Sequence, residues 1–410
     1  MPEQGLLEGV RVVECALFGP GALGGHLADL GAEVIKVESP AGDDVRRVTW
    51  PLIDGVSLLH WHVNRGKQSL VLDLNLPEAV TVFEDLVVRS DVVIEGMRPG
   101  FLDRRGLGYG RLSELNPKLV YASISGYGTT GPYRDLPSHG VAYDTWSGAL
   151  RPELDEEGFC RIADQPNIGI TAGPAFGAIG VLAALIRAER TGRGAAVEIA
   201  QADSSAYFDW YRVESWKAYD GNSASQVTGN AADGYERRAP GLGGMGDGVR
   251  YQIYESEDGH VLFMAAERKF WSNFCAGIQR RDLFEAWPGE EVADHARGNR
   301  ALQSALRDIF RTRTTREWMV FAAEHDTPIA PVNTPRSLLD DPQFRARFGW
   351  SIAGESGAEM LSLPLRIDGA AMAASAKAPS VGEHTGAVLA RVLGYDDCQI
   401  AALRARRVLG

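Results

Sequence analysis

Only four cysteines occur in 410 residues, at positions 15, 160, 275 and 398, and no two are spaced as a CxxC pair. That excludes a zinc ribbon or a thioredoxin-type motif, and it leaves the thiols as small core hydrophobes of an intracellular chain. The eight histidines are scattered. His60 and His62 form a close pair, but no HExxH or Cys/His cluster accompanies them, so no metal site is expected. Positive charge is in deficit, with 42 Lys and Arg against 54 Asp and Glu, a formal net charge of −12. A nucleic-acid surface needs a basic field and is therefore not expected, whereas a small polyanion needs only a local basic pocket. No run of about 18 apolar residues is found, so no membrane span is expected. The start, MPEQGLLEGVRVVE, lacks the basic and apolar regions of a secretory signal. These absences together suggest a cytoplasmic protein.

What the chain does have is length and glycine. At 410 residues it exceeds one ordinary core, and 47 glycines suit an α/β protein with many tight turns. Strand-like runs at 9–15, 33–38, 69–74, 91–96, 118–125 and 195–200 alternate with helical patterns at 20–30, 77–88 and 172–190. Such alternation predicts a parallel sheet covered on both faces. The pattern breaks over 221–248, a stretch rich in Gly, Asn, Ser and Asp that reads as a linker or a lid. Beyond it, RYQIYESEDGHVLFMA reads as a hairpin turning at Glu257-Asp258-Gly259, followed by helices near 269–278, 295–311 and 315–325. The tail reads as two short amphipathic helices broken at Gly394.

Basic residues recur at strand ends, where a phosphate-bearing ligand finds helix N-termini and positive charge. Arg46 and Arg47 follow the 33–38 strand, Arg65 and Lys67 precede the 69–74 strand, and Arg98, Arg104 and Arg105 follow the 91–96 strand. Gly19, Gly21 and Gly24 spell GxGxxG literally, with Glu38 further on, but Pro20 interrupts the turn and the match reads as coincidence.

Long blocks of the chain resemble class III CoA-transferases, the superfamily of formyl-CoA and carnitine-CoA transferases and α-methylacyl-CoA racemases. They include GPGALGGHLADLGAEVIKVESPAGDDVRR, NRGKQSLVLDL, SDVVIEGMRPGFLDRRGLGYGRLSELNPKLVYASISGYGTTGPY, GVLAALIRAERTGRG, DTPIAPVNTPRSLLDDPQF and PSVGEHTGAVLARVLGY. The resemblance implies an α/β fold with a Rossmann-like large domain and a smaller α+β domain, the chain interlocked with its dimer mate. The expected division is 1–220 large domain, 221–248 linker or lid, 249–330 small domain and 331–410 returning to the large domain. It implies acyl-CoA and a carboxylic acid acceptor as substrates, with coenzyme A as the only cofactor and no metal. A homodimer is implied, or a heterodimer with an active family member. Leu17, Phe18, Gly96, Met97 and Arg104 match the family's CoA-contacting positions, and Arg65, Lys67 and Arg98 join them as cofactor-binding candidates. Relatives commonly carry Asn-Phe at the Gly96-Met97 pair, and a basic residue where this chain has Ser39.

The chemistry of the resemblance meets a gap. Class III transferases attack the acyl-CoA with an aspartate carboxylate, which splits one transfer into two easier steps. Counted from the shared GVLAALIRAERTGRG block, that position is Ile170, and 167–180 contains no acid. The racemase branch uses an aspartate in a Gly-His-Asp motif, and here His139 is followed by Gly140. Asp144, one helical turn further on, and Glu267, at a racemase glutamate position, are the catalytic candidates, with Asp164 a weaker one. Asp144 also reads as a helix cap, and Glu267 as an ion-pair partner. Three functions stay open: CoA transfer through a carboxylate on the enzyme, a non-catalytic CoA-binding subunit of a hetero-oligomer, and an acyl-CoA racemase, isomerase or lyase.

Overall fold

The computed structural model describes residues 5–223, 226–229, 234–237, 245–290, 293–348, 350–352, 359–372 and 376–409. Much of the glycine-rich 221–248 stretch, including Gly241, Gly243 and Gly244, lies outside the described residues. The chain forms two compact units, one of residues 1–209 with 346–410, the other of 210–345.

The first unit is built on six parallel strands: β1 (Arg11–Ala16), β2 (Glu33–Glu38), β3 (Lys67–Val71), β4 (Val92–Gly96), β5 (Val120–Ser125) and β6 (Ala195–Ala200). Their order across the sheet is β6-β5-β4-β1-β2-β3, every pair parallel. The chain winds one way from β1 to β3 and the other way from β4 to β6, so the order reverses between β1 and β4. At such a switch point the loops leave the sheet in opposite directions and open a crevice beyond the carboxyl ends of the strands.

Helices cover both faces because alternate strand residues point to opposite sides. Val13, Cys15, Ile35 and Val93 pack with α3 (Pro77–Val88) and with the C-terminal helix Asp397–Ala405. Val12, Val34, Ile94 and Ala122 pack with α1 (Ala22–Asp29) and α5 (Ile168–Thr191). Between these last two run α2 (Leu58–Val63) and α4 (Ala142–Ser147). The short helix α6 (Gln201–Phe208) starts directly from β6.

By length and composition α5 could cross a membrane, with a mean hydropathy of 1.8 over its apolar window, contrary to the sequence expectation that no such run exists. In this fold it is a core helix. Gly169, Gly173 and Gly177 recur every four residues on its buried stripe, and that lets its backbone approach α1 and α6 closely. A Cβ on Gly177 would lie 3.1 Å from Leu23, and one on Gly173 only 2.9 Å from Gln201.

Below the switch point the sheet carries charge. Lys67 is fully enclosed, and its ammonium donates to both oxygens of Glu14 at 2.8 Å, to the Gly21 carbonyl at 2.6 Å and to Asn64 at 3.0 Å. Lys36 is equally buried and donates to the Ala16 carbonyl at 2.5 Å, while pairing with Asp43 at 3.0 Å. Buried ions are tolerated only when paired and hydrogen-bonded in this way, and removing one partner costs about 3–5 kcal/mol.

The second unit carries a three-stranded antiparallel sheet, β7 (Tyr251–Glu255), β8 (His260–Met264) and β9 (Ile329–Pro331), with helices α7 (Arg268–Gly277), α8 (Arg300–Phe310) and α9 (Thr315–Glu324). Its core is aromatic: Phe263, Trp271, Phe274, Phe310 and Trp318 are all fully buried.

Buried His60 and half-buried His62 make the first unit acid-sensitive. Burial, helped by nearby Arg46, lowers His60 to about 4, and burial with Arg65 does the same for His62. The neutral Nδ1 of His60 faces the Asn64 amide at 3.0 Å. The unfolded chain therefore binds more protons than the folded one between about pH 6.5 and 4, and stability falls as pH drops through that window. His60 contributes on the order of 3 kcal/mol to that loss. Urea unfolding at pH 7 and pH 4.5 is expected to show a flatter pH dependence in His60→Gln than in the parent, and equal slopes would refute this.

Candidate active site

A cavity of about 660 Å³ opens at the switch point, beyond the carboxyl ends of β1, β4 and β5. Its floor is made by the turns that follow those strands. Phe18, two residues beyond β1, has a positive φ of 52°, which aromatic residues rarely adopt, with its ring partly exposed. Gly96 ends β4, and no side chain fits there: a Cβ would lie 2.5 Å from that of Ala16 and 2.6 Å from that of Pro20. A second, smaller recess of about 110 Å³ adjoins it on the β2 and β3 side, sharing Leu17, Met97 and Phe101 with the first. Arg105 closes this recess, stacking 3.9 Å over the Phe101 ring and donating to Asn75 at 2.8 Å. The two form one trench along the strand ends.

The structure brings Leu17, Phe18, Gly96, Met97, Arg98 and Arg104 together on the wall of the large cavity. Arg98 and Arg104 are exposed and, among the described residues, neither is held by a carboxylate. Arg104 donates only to the Pro99 carbonyl, at 3.2 Å. Arg134, which pairs with exposed Asp135 at 3.9 Å, also lines the cavity, so Arg98 and Arg104 supply the unneutralised positive charge at its edge.

Two expected cofactor residues sit elsewhere. Arg65 is 2 % exposed, with its guanidinium on Asp29 and on the His62 carbonyl. Lys67 is enclosed by Glu14, Gly21 and Asn64, and burial pulls its ammonium below the usual lysine range. Neither lines the cavity. Both are basic residues at strand ends, as the phosphate reading required, but they point into the fold because acids inside it face them.

The inner end of the trench lies beside the first turn of α5. Ile170, in the first turn of α5, lines it, together with Ser138, His139, Gly140, Tyr143 and Gln201. Asp144 does not. Its carboxylate is fully buried and accepts from the Ile168 and Gly169 backbone amides, at 3.0 and 2.8 Å, and from the Ser205 hydroxyl at 2.7 Å. It caps the N-terminus of α5 from a neighbouring helix, where a negative charge is held by the otherwise unpaired first amides. The catalytic reading of Asp144 gives way to this cap. Asp164 is exposed and is not part of the cavity wall. Asp135, on the loop after Arg134, is the single carboxylate among the lining residues. Glu267 belongs to the second unit, exposed at the N-cap position of α7.

Sequence reasoning did not select Gln201, Ser138 or Arg134. Gln201 had a readable signal, since it directly follows the last parallel strand, where ligands of such sheets bind. The thiol at the trench is inert: burial pushes Cys15 up to about 12. Among the described residues no group of His, Cys, Asp or Glu is placed to hold a metal.

A doubly wound sheet with a trench across its switch point, basic at one edge and neutral at its inner end, defines a binder of an extended anionic ligand in the manner of nucleotide-binding α/β proteins. The comparisons identify which. Residues 7–385 match the sequence profile of the family described as CoA-transferase family III. A Chloroflexus aurantiacus protein named succinyl-CoA–L-malate CoA-transferase beta subunit is 30% identical over 98% of both chains. The human succinyl-CoA:glutarate CoA-transferase is 28% identical, over 97% of this chain and 88% of its own. Among solved structures, a CaiB/BaiF family protein from Brucella suis is 28% identical with a TM-score of 0.74, covering 95% of this chain and 100% of that one. The chain belongs to CoA-transferase family III, and it is a CoA-transferase at the level of that family.

The cap assignment has a direct check. Asp144→Ala is expected to lower the unfolding free energy by about 2–4 kcal/mol, because it leaves two buried amides and a buried hydroxyl without their acceptor. Urea titration measures this. An unchanged midpoint would remove the structural role and restore Asp144 as a candidate for chemistry.

Proposed function

We propose that this chain binds an acyl-CoA thioester along the trench and takes part in CoA transfer to a carboxylic acid, without a covalent carboxylate on α5. One observation carries this reading: Ile170 stands at the inner end of a cavity whose only lining carboxylate is Asp135, while nearby Asp144 is committed to the helix cap. The anionic end of CoA suits the edge bearing Arg98, Arg104 and Arg134, and the thioester suits the inner end beside Ile170. The relatives' names give succinyl-CoA or acetyl-CoA as donors and malate, glutarate or oxalate as acceptors, which makes those pairs the first to assay.

Glu267, the candidate from the sequence, carried by the second unit, is the enzyme carboxylate of this proposal. Its attack on the thioester would form an acyl–glutamyl anhydride and release CoA thiolate. CoA thiolate would then attack the glutamyl carbonyl, expelling the donor acid as its carboxylate and leaving a glutamyl-CoA thioester. The acceptor carboxylate would displace CoA thiolate from it to form a second anhydride. The thiolate's attack on the acceptor's acyl carbonyl would give the new acyl-CoA and free Glu267.

A second reading is favoured by two observations. The Chloroflexus aurantiacus relative is named as a subunit. The first unit also exposes a cluster of apolar rings, Tyr207 and Phe208 against Phe176 at centroid distances of 5.4 and 6.3 Å. Exposed aromatic clusters of this kind mark surfaces that associate. In that reading the chain binds CoA within an assembly whose other member supplies the nucleophile, and a second copy or a homologous chain covers the rings.

Isotope exchange between labelled succinate or glutarate and succinyl-CoA separates the two. The catalytic reading expects turnover by the purified chain and its loss in Glu267→Gln. Turnover that survives Glu267→Gln removes that residue from the mechanism. No turnover by the parent, with exchange appearing in Ile170→Asp at about tenfold over background or more, identifies a non-catalytic chain whose site lacks only the nucleophile.

A further inference from the structure

The inner end of the trench contains one polar atom with no partner. Gln201 is 2 % exposed, and its Oε1 accepts no hydrogen bond. A buried acceptor left in this state costs stability, so native folds rarely keep one away from a functional site. Gln201 itself lines the cavity. The point where a Cβ would sit on Gly19 lies 3.5 Å from Oε1 and 3.3 Å from the Ile170 Cβ, so the carboxamide and Ile170 flank the same turn.

The carboxamide is also held in place. Beside it stands the Tyr143 phenol, 4 % exposed, with Ser138 on the same side of the cavity. From the opposite side α5 lies directly on the residue. A Cβ on Gly173 would come within 2.9 Å of the Gln201 Cγ, and one on Gly169 within 3.0 Å of its carbonyl oxygen. Those two glycines admit the glutamine and leave it no room to turn. Apolar Ile170 beside it lowers the local dielectric and strengthens whatever hydrogen bond forms there.

We propose that Gln201 is a ligand-binding residue whose Oε1 accepts a hydrogen bond from a donor on the bound thioester, an O–H of the acyl group or an N–H of the pantetheine arm. This rests on the reading of the trench as an acyl-CoA site. It gives that site a neutral, oriented acceptor beside the position where the family's transferases carry a charged nucleophile. A carboxylate at Ile170 would compete for the same donor, and its absence leaves Gln201 as the group that fixes the thioester's orientation.

Butyryl-CoA and 3-hydroxybutyryl-CoA differ by one hydroxyl, and calorimetric titration of both into the parent and into Gln201→Met tests the proposal. An acyl hydroxyl as donor predicts about tenfold tighter binding of the hydroxy compound to the parent, and loss of that preference in the variant. A pantetheine amide as donor predicts equal parent affinities and about tenfold weaker binding of both to the variant. Gln201→Glu, which keeps an acceptor, is expected to retain binding. The ligand-free melting temperature of Gln201→Met is expected to stay within about 2 °C of the parent or to rise, because the variant removes an unsatisfied buried atom. Unchanged affinity for both ligands in Gln201→Met overturns the proposal while leaving the trench as the acyl-CoA site. Failure of the parent to bind either ligand overturns both. A melting temperature lowered by more than that margin with affinity unchanged assigns Gln201 a structural role alone.

Discussion

The switch-point crevice depends on a buried ion pair beneath it. Lys67, from the start of β3, reaches under the sheet to Glu14 on β1 and then to the carbonyl of Gly21. The Gly21 contact ties the Gly19–Gly21 turn to the strands, and that turn is one wall of the trench. Lys36 does the same for the last carbonyl of β1, at Ala16, while holding Asp43 in the loop beyond β2. In a low-dielectric interior each of these charges would be costly alone, and together they constrain where every strand-end turn must lie. The sequence answers the arrangement in detail. Gly24 carries no side chain because a Cβ there would meet the Glu14 carboxylate at 1.9 Å.

The basic residues of the first unit consequently divide into two groups with different work. Those reached by internal acids (Lys36, Arg46, Arg65 and Lys67) hold loops and helices against the sheet. Those on the turns after β4 and β5 (Arg98, Arg104 and Arg134) line the cavity, and among the described residues only Arg134 meets an acid there, the exposed Asp135 at 3.9 Å. A net charge of −12 is compatible with binding a polyanion because the local field at the trench is set by this second group.

Sheet architecture was readable from the chain because buried parallel strands are near-continuous apolar runs. The 33–38 and 195–200 runs match β2 and β6 residue for residue, and 77–88 matches α3. The third strand was displaced: the apolar run at 69–74 suggested it, whereas β3 begins at Lys67, a buried charge that hydropathy assigns to a loop. The site was legible to the same extent and for the same reason. Leu17, Phe18, Gly96, Met97, Arg98 and Arg104 follow strand ends, so their neighbourhood is set by topology. Arg65, Lys67 and Asp144 lie off the cavity wall because they face partners distant in the chain: Asp29, Glu14 and the first amides of α5. No local pattern shows that a charge has an internal partner.

The cap made by Asp144 explains why the first turn of α5 is stable with apolar Ile170 in it. In the first turn of α5 a carboxylate on the helix itself would face the positive end of the macrodipole and be stabilised there, which suits a nucleophile that must stay ionised. Asp144 already supplies a negative charge to that end from α4, seated on the amides of Ile168 and Gly169. A second carboxylate two residues on would sit close to the first, and like charges in a buried setting disfavour each other's ionisation. With Asp144 in the cap, an apolar side chain at 170 relieves that repulsion and leaves the inner wall of the trench neutral. Apolar Ile170 and the buried acid of α4 are therefore one electrostatic arrangement.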